Sequence, residues 1–489
     1  MLQASVPDTT IALYHKSNWH ATSFHRRRSA IFVQAASGIL LHARLRLCER
    51  AWGGTAKGMD MSSSTGRRWT AVAVFVWVAL VGGLAVFSYR YPWSHTVYGI
   101  YSLACRHWWS GQDLYGAAVT DYYRYSPLFA ISITGWALLP DSWGGALWRI
   151  SSGLLYAAGL LAWARHVLPG GCSRSQRAAV FLLVLPLSVH SMQNGQANVV
   201  MLGALLLGLA MASAEKWNQA AAWFALATLI KGYPLALALL VAALYPRRFL
   251  FRYASALGLG LLLPFATQRP EFVIEQYRSW LVHLQESTTI MRERLRTVEH
   301  LFSIYGHPLA PHTFLMIQLL AGAAILGLCL FHKRRALQAK KGSGTFCRNS
   351  PEGAAHKRCL TPFSPAELRL QLHGAFQLFT CWVMLFGPAT EACTYVVIAP
   401  VIAWSLVDAF SRTTPWSERL LLIASFLMMG PLVTDFAIGA IRDFANEHGS
   451  QPIGALLFCS YLLVQLTRAR QVCYAEMPAQ RAVPRDAAA

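Results

Sequence analysis

Apolar stretches recur along nearly the whole of this 489-residue chain, and that recurrence excludes an ordinary soluble fold. They lie near 70–90, 126–140, 145–168, 178–192, 198–214, 217–231, 234–245, 253–267, 312–331, 370–386, 393–410, 418–434 and 453–466. Lipid offers no water to the peptide groups, so each segment must be a helix that pairs its own N–H and C=O groups. Several are shorter than the ~20 residues a perpendicular span needs. Length alone suggests about three soluble domains. Composition overrides it: 55% of the residues are hydrophobic and 13% charged, against ~25% charged in soluble domains. The expected fold class is all-α, a polytopic transmembrane helical bundle of about twelve spans with short external loop helices.

A net charge of +21 invites a nucleic-acid reading. The basic residues instead gather in short segments between spans, as they do in cytoplasmic loops, so no nucleic acid is expected as a partner. Segment 333–366 holds eight Lys and Arg against one Glu and reads as cytoplasmic. So do Arg67-Arg68, Arg174 with Arg177, Arg247-Arg248 with Arg252, and Arg468 with Arg470. Residues 91–125 carry two basic and two acidic residues, and 268–311 carry five of each; both read as external. These placements agree only if one early segment does not cross, and 126–140, short and opening on Ser126-Pro127, is expected to be that segment, re-entrant or lying at the interface. Both termini then lie inside, and Gln193–Gln196, Lys231–Pro234 and Pro388–Glu391 lie outside.

The expected organisation follows. Residues 1–69 form a basic, disordered N-terminal segment or a mis-assigned start, since eight basic residues in the first 58 face two acidic ones and Met59 or Met61 offers a more ordinary beginning. Residues 70–332 form a transmembrane core, 333–366 a cytoplasmic basic linker, 367–470 the C-terminal transmembrane helices and 471–489 a disordered tail. The ten cysteines are scattered, with no metal-ligand spacing and no disulfide framework. No metal and no cofactor is expected.

Candidate chemistry sits where polar residues interrupt the apolar runs. The first external loop reads Trp108-Trp109-Ser110-Gly111-Gln112-Asp113-Leu114-Tyr115, then Asp121-Tyr122-Tyr123-Arg124-Tyr125-Ser126-Pro127. Asp113 and Asp121 are its carboxylates, the group type that deprotonates a hydroxyl, and Arg124 suits a phosphate. Gln196 and Asn198 open a span beside Gly195, with amides that suit sugar hydroxyls or helix–helix packing. Lys231 ends an apolar run before Gly232-Tyr233-Pro234, the pattern of a broken helix aiming its ammonium into a cavity or of a snorkelling surface lysine. Glu391 stands isolated in Pro388-Ala389-Thr390-Glu391, with Tyr395 beyond it. In the second external loop, Gln276-Tyr277-Arg278-Ser279-Trp280 combines aromatics with Arg and Gln.

The order W-x-x-G-x-x-L-Y (Trp108–Tyr115), R-Y-S-P (Arg124–Pro127), G-Q-x-N (Gly195–Asn198), K-x-Y-P (Lys231–Pro234) and P-x-x-E-x-x-x-Y (Pro388–Tyr395) resembles the multi-spanning glycosyltransferases of the GT-C class. Within that class it is most similar to glycosyltransferase family 87, the bacterial alpha-1,2-mannosyltransferase-like proteins, over about residues 70–410. The resemblance implies a polyprenyl-phosphate-linked sugar donor, commonly mannose, used on the external face of the inner membrane with inversion and without a nucleotide. A glycolipid or glycan supplies the acceptor hydroxyl. It implies that Arg124, Gln196, Asn198, Lys231 and Glu391 are donor- or acceptor-site residues; with the loop residues added, Lys231, Arg124 and Arg278 are the expected donor-phosphate contacts, and Tyr125, Gln196, Asn198 and Glu391 the expected sugar or acceptor contacts. The family's first-loop acid precedes the loop glycine by about a dozen residues, where this chain reads His95-Thr96-Val97-Tyr98-Gly99. His95 and Asp113 are therefore the two candidate bases. A membrane transporter or lipid-linked-sugar flippase is the alternative reading, and an inactive scaffold of the same fold is another.

Overall fold

The computed structural model describes residues 63–116, 123–290, 294–343, 365–388, 390–434 and 437–475. Nearly all of the expected N-terminal segment, most of the basic linker, the end of the tail and Asp121 lie outside these residues. The described residues are helical, and their one strand-like pairing is an isolated antiparallel bridge between Leu295 and Glu391.

Among the described residues, three segments are long and apolar enough to cross a membrane: Ser64–Arg90, Pro246–Ala266 and Pro311–Arg335. Each turns most of its surface away from the protein, as a lipid-facing helix does. The first belongs to α1 (Ser63–Arg90). It is followed by α2 (Tyr98–Ser110), which lies in the first loop. The apolar segment 126–140 forms two short pieces, α3 (Pro127–Ser132) and α4 (Thr134–Ala137), each far too short to cross. The centre of the fold is α5 (Asp141–His166), α6 (Arg174–Leu183), α7 (Leu185–Gln193), α8 (Ala197–Ser213), α9 (Trp217–Ile230) and α10 (Pro234–Leu244).

Close packing at this centre depends on small residues. A Cβ at Gly159 would meet the Gly203 carbonyl oxygen at 2.5 Å, and one at Gly203 would meet Leu155 backbone at 2.9 Å. Backbones of α5 and α8 therefore touch, the approach that membrane helices use in place of a hydrophobic drive between them. The expected segment 178–192 is split: α6 begins with a capping box, Ser173 Oγ accepting from the Gln176 N–H and Gln176 Oε1 from the Ser173 N–H, and Pro186 starts α7 anew.

A π-helical turn at Pro246–Leu250 leads into α11 (Phe251–Leu262), and α12 (Pro270–Ile290) and α13 (Val298–Ile304) make up the second loop. Then come α14 (Pro311–Ser343), α15 (Pro365–Phe386), a 3-10 turn at Ala392–Val397, α16 (Ala399–Ser411), α17 (Trp416–Met429), α18 (Gly439–Glu447) and α19 (Ser450–Ala475). The two loops pack on each other. Trp108 Nε1 donates to Thr267 Oγ1 at 3.2 Å, Gln268 Nε2 to the Trp108 carbonyl at 2.6 Å, and the Leu114 N–H to Gln276 Oε1 at 2.9 Å.

Candidate active site

Three separated stretches of sequence meet at Arg124. The Tyr123–Ser126 segment is anchored by Ser126 Oγ, which donates to the Leu229 carbonyl at the end of α9. That bond sets Arg124 and Tyr125 beside the break between α9 and α10. The break follows from local chemistry: Lys231 takes an extended backbone (φ −141°, ψ 143°), Gly232 and Tyr233 turn, and Pro234 restarts the helix where its missing N–H costs nothing. The Lys231 ammonium lies 5.8 Å from the Tyr125 ring centroid and 6.0 Å from that of Tyr233, cation–π distances.

Glu391 closes the group. Its Oε1 accepts from Arg124 Nη2 at 2.8 Å, its carboxylate also accepts from the Thr394 N–H of the 3-10 turn, and the Glu391 N–H donates to Thr394 Oγ1 at 3.1 Å. Burial pushes the Glu391 carboxyl up, and the charges of Arg124 and Lys231 outweigh it, holding the group below the usual carboxylate value. Arg294 adds a further positive charge felt by Glu391. The neighbouring segment is held by the Arg296 N–H donating to the Thr390 carbonyl at 2.7 Å and by Tyr395 Oη donating to the Arg296 carbonyl at 2.9 Å. The result is an excess of cations around one carboxylate, lined by tyrosine rings, the electrostatic setting for an anionic group.

The amides are placed by a clamp from α5. Arg149 is 4% exposed. Its Nε and Nη2 donate to the Gln193 carbonyl at 3.1 and 2.7 Å, and its Nη1 to Ser88 Oγ at 2.6 Å. Trp148 Nε1 donates to the Gly195 carbonyl at 2.8 Å. Gly195 has φ +62°, the left-handed conformation that glycine adopts freely. Beyond this turn the first N–H of α8, at Ala197, donates to Tyr101 Oη, which shares a 2.7 Å hydrogen bond with Tyr125 Oη. Asn198 is buried and its Oδ1 accepts from Tyr233 Oη at 3.3 Å. Gln196 caps α8 and is partly exposed.

Asp113 and Arg278 lie together in a second place. They line a cleft of about 240 Å³ with Tyr115, Glu275, Ser279 and His283. Asp113 Oδ1 accepts from the Tyr115 N–H at 3.2 Å. The exposed Arg278 guanidinium sits 3.8 Å from Glu275. The two places share a wall, because Tyr115 Oη donates to the Tyr125 carbonyl at 2.8 Å and Trp280 Nε1 to the Arg124 carbonyl at 3.3 Å. His95 is exposed on the α1–α2 turn with φ +47°, and two residues on the Val97 N–H donates to the Asn194 carbonyl at 3.0 Å. His95 thus neighbours the amide turn and not the Asp113 cleft. Among the described residues no group of three or more His, Cys, Asp or Glu is placed to hold a metal ion.

Sequence reasoning passed over Tyr101, Arg149 and Arg294. Tyr101 and Arg149 sit in helices whose patterns read as packing, and nothing local marks their partners. Arg294 and Arg296 alternate in the charged stretch before α13, a signal that was visible.

The family model of glycosyltransferase family 87 matches residues 123–346. Over that stretch, a little under half of the chain, the protein is similar to glycosyltransferase family 87. The match takes in Arg124, Tyr125, Gln196, Asn198, Lys231 and Arg278, while His95, Asp113 and Glu391 fall outside it. No curated protein and no solved structure matches the chain. The matched family is one of glycosyltransferases, and three of the described helices are long and apolar enough to cross a membrane.

Proposed function

We propose that this glycosyltransferase moves a hexose, with mannose the first candidate, from a polyprenyl-phosphate-linked donor to a lipid or glycan hydroxyl on the external face of the inner membrane, with inversion. The observation that carries the reading is the meeting of Arg124, Lys231 and Glu391 at a helix break. The acceptor oxygen attacks the anomeric carbon as the bond from that carbon to the phosphate oxygen breaks. The leaving polyprenyl phosphate gains negative charge, and the Arg124 and Lys231 cations stabilise it in a low-dielectric setting where such charges act strongly. The acceptor proton passes to a base, Asp113 or His95, and Gln196, Asn198 and Tyr125 orient the sugar. Glu391, already holding two protein donors, fixes Arg124 and faces the acceptor with its remaining capacity. Arg278, beside Asp113, offers a second phosphate contact.

The multi-pass arrangement is part of the same reading. The three long helices support it, and the shorter apolar helices Ala197–Ser213, Pro234–Leu244 and Ala399–Ser411 add apolar segments to the same bundle.

Purified protein in lipid vesicles with a radiolabelled polyprenyl-phosphate hexose tests the reaction. Transfer to an added glycan or glycolipid is expected, abolished in Lys231→Met. Asp113→Asn and His95→Asn separate the two bases, since the true base abolishes turnover while the other variant retains it. Solute movement across the vesicle with no transfer would replace this reading with transport.

A further inference from the structure

Two short helices beside the site turn apolar side chains outward. Ile438, just before α18, is 74% exposed, and on the helix Ile441 is 46% and Phe444 62% exposed. Ile441 and Phe444, three residues apart, share one exposed side of the helix, exposed Asp443 and Glu447 lie on the adjoining side, and Ala445 and Arg442 turn inward. On α13, Phe302 and the following Tyr305 are exposed too. The helices are packed together: a Cβ at Gly449, which ends α18 with φ +65°, would meet Leu301 Cδ2 at 2.5 Å and Ile304 Cδ1 at 3.0 Å. Tyr305 Oη reaches the His448 carbonyl.

We propose that α13 and α18 form one interfacial seat whose apolar face is sunk into the headgroup–acyl boundary of the bilayer, covered by lipid acyl chains. The occupant follows from continuity. Seven residues after α13 ends, Pro311 begins the span Pro311–Arg335, whose first turns present Leu315, Met316, Leu319 and Leu320 to the outside. α18 runs on through Gly449 into α19 (Ser450–Ala475). The patch therefore lies at the rim of the lipid-facing belt, where an amphipathic helix buries its apolar side in the boundary region. The rest of the helix carries mixed charge, with Arg442 against Asp443 and Glu447, so burial of apolar area holds the seat down and anionic headgroups are not required.

The seat also touches the site. α13 rises directly from the Leu295–Thr297 segment that pairs with Thr390 and Glu391. Depth in the bilayer is thereby set for the segment beside the carboxylate that holds Arg124. The inference rests on the chain spanning a membrane and not on the transfer reaction.

The test places a fluorescent amino acid at Phe444, at Phe302 or at Asp443 in the full chain, reconstituted in phosphatidylcholine vesicles. The acyl chains carry bromine near the headgroup in one preparation and near the chain end in another. Quenching at 444 and 302 is expected to exceed that at 443 by ~2-fold or more, to be stronger with the shallow bromines, and to persist when anionic lipid is added. Equal quenching at 444 and 443 overturns the proposal. So does absent quenching with cross-linking between copies through position 444, which assigns the face to a second copy. The two apolar positions report separately, so a fault in one variant leaves the other to decide. Neither result depends on transferase activity.

Discussion

At the scale of single residues, the site is decided by unequal numbers of charges. Glu391 balances one cation, Arg124, through a 2.8 Å contact, and leaves the Lys231 ammonium against two rings. Both partners of the pair are less than a third exposed, so the interaction is only partly screened. Glu391→Gln is expected to cost about 2 kcal/mol, the order of a hydrogen bond to a charged group, read as thermal unfolding in detergent. It should also lower kcat/KM about 100-fold if Arg124 swings from the donor phosphate. The pair makes stability pH-dependent. The folded Glu391 carboxyl titrates below its ordinary 4.5, so its contribution is complete above that value and is lost as pH falls through the lowered folded value. The difference in unfolding temperature between the parent and Glu391→Gln should therefore shrink on acidification from neutrality to about pH 3. Lys231→Met answers a separate question. It removes a cation while keeping an unbranched apolar stem, so the protein should stay folded and lose donor turnover, measured by transfer and by unfolding side by side.

At the scale of elements, the sequence-visible motifs depend on partners that were not visible. The G-Q-x-N turn was legible as glycine beside amides. Its orientation comes from Arg149 and Trp148 on α5, about 45 residues earlier in the chain. Arg149→Met would leave the Gln193 carbonyl without its two donors in a buried place, at a cost of about 1–3 kcal/mol. Gly195→Ala would add strain of about 1 kcal/mol through its positive φ, with the new methyl also placed 3.5 Å from Arg149 and Trp148. Both changes should raise the acceptor or donor KM more than they lower the yield of folded protein, which steady-state kinetics on purified variants will show. The K-x-Y-P break was legible because Pro234 dictates where a helix can restart. What Lys231 faces was not, because Tyr125 is brought beside it by bonds between distant segments, the Ser126–Leu229 bond and the Tyr101–Tyr125 bond among them.

At the scale of the whole molecule, the loops near the site should share one side of the membrane and the basic turns the other. A membrane-impermeant thiol reagent added to intact cells should label Glu271→Cys in the second loop and not Arg247→Cys in the basic turn before α11. Labelling of Arg247→Cys alone would invert the molecule and move the proposed reaction to the cytoplasm. The sequence by itself determined the helical class, the membrane setting, the two loops and the list of polar interruptions. It could do so because backbone satisfaction in lipid leaves helices as the local answer and because charge collects where loops stay inside. Only the tertiary structure decided which interruptions meet. It joined Arg124, Lys231 and Glu391 across 267 positions of chain, set Asp113 with Arg278 in a neighbouring cleft, and left His95 by the amide turn. Those groupings depend on close helix contacts such as Gly159 against Gly203 and on buried hydrogen bonds between distant segments, and neither leaves a periodic trace in a single sequence.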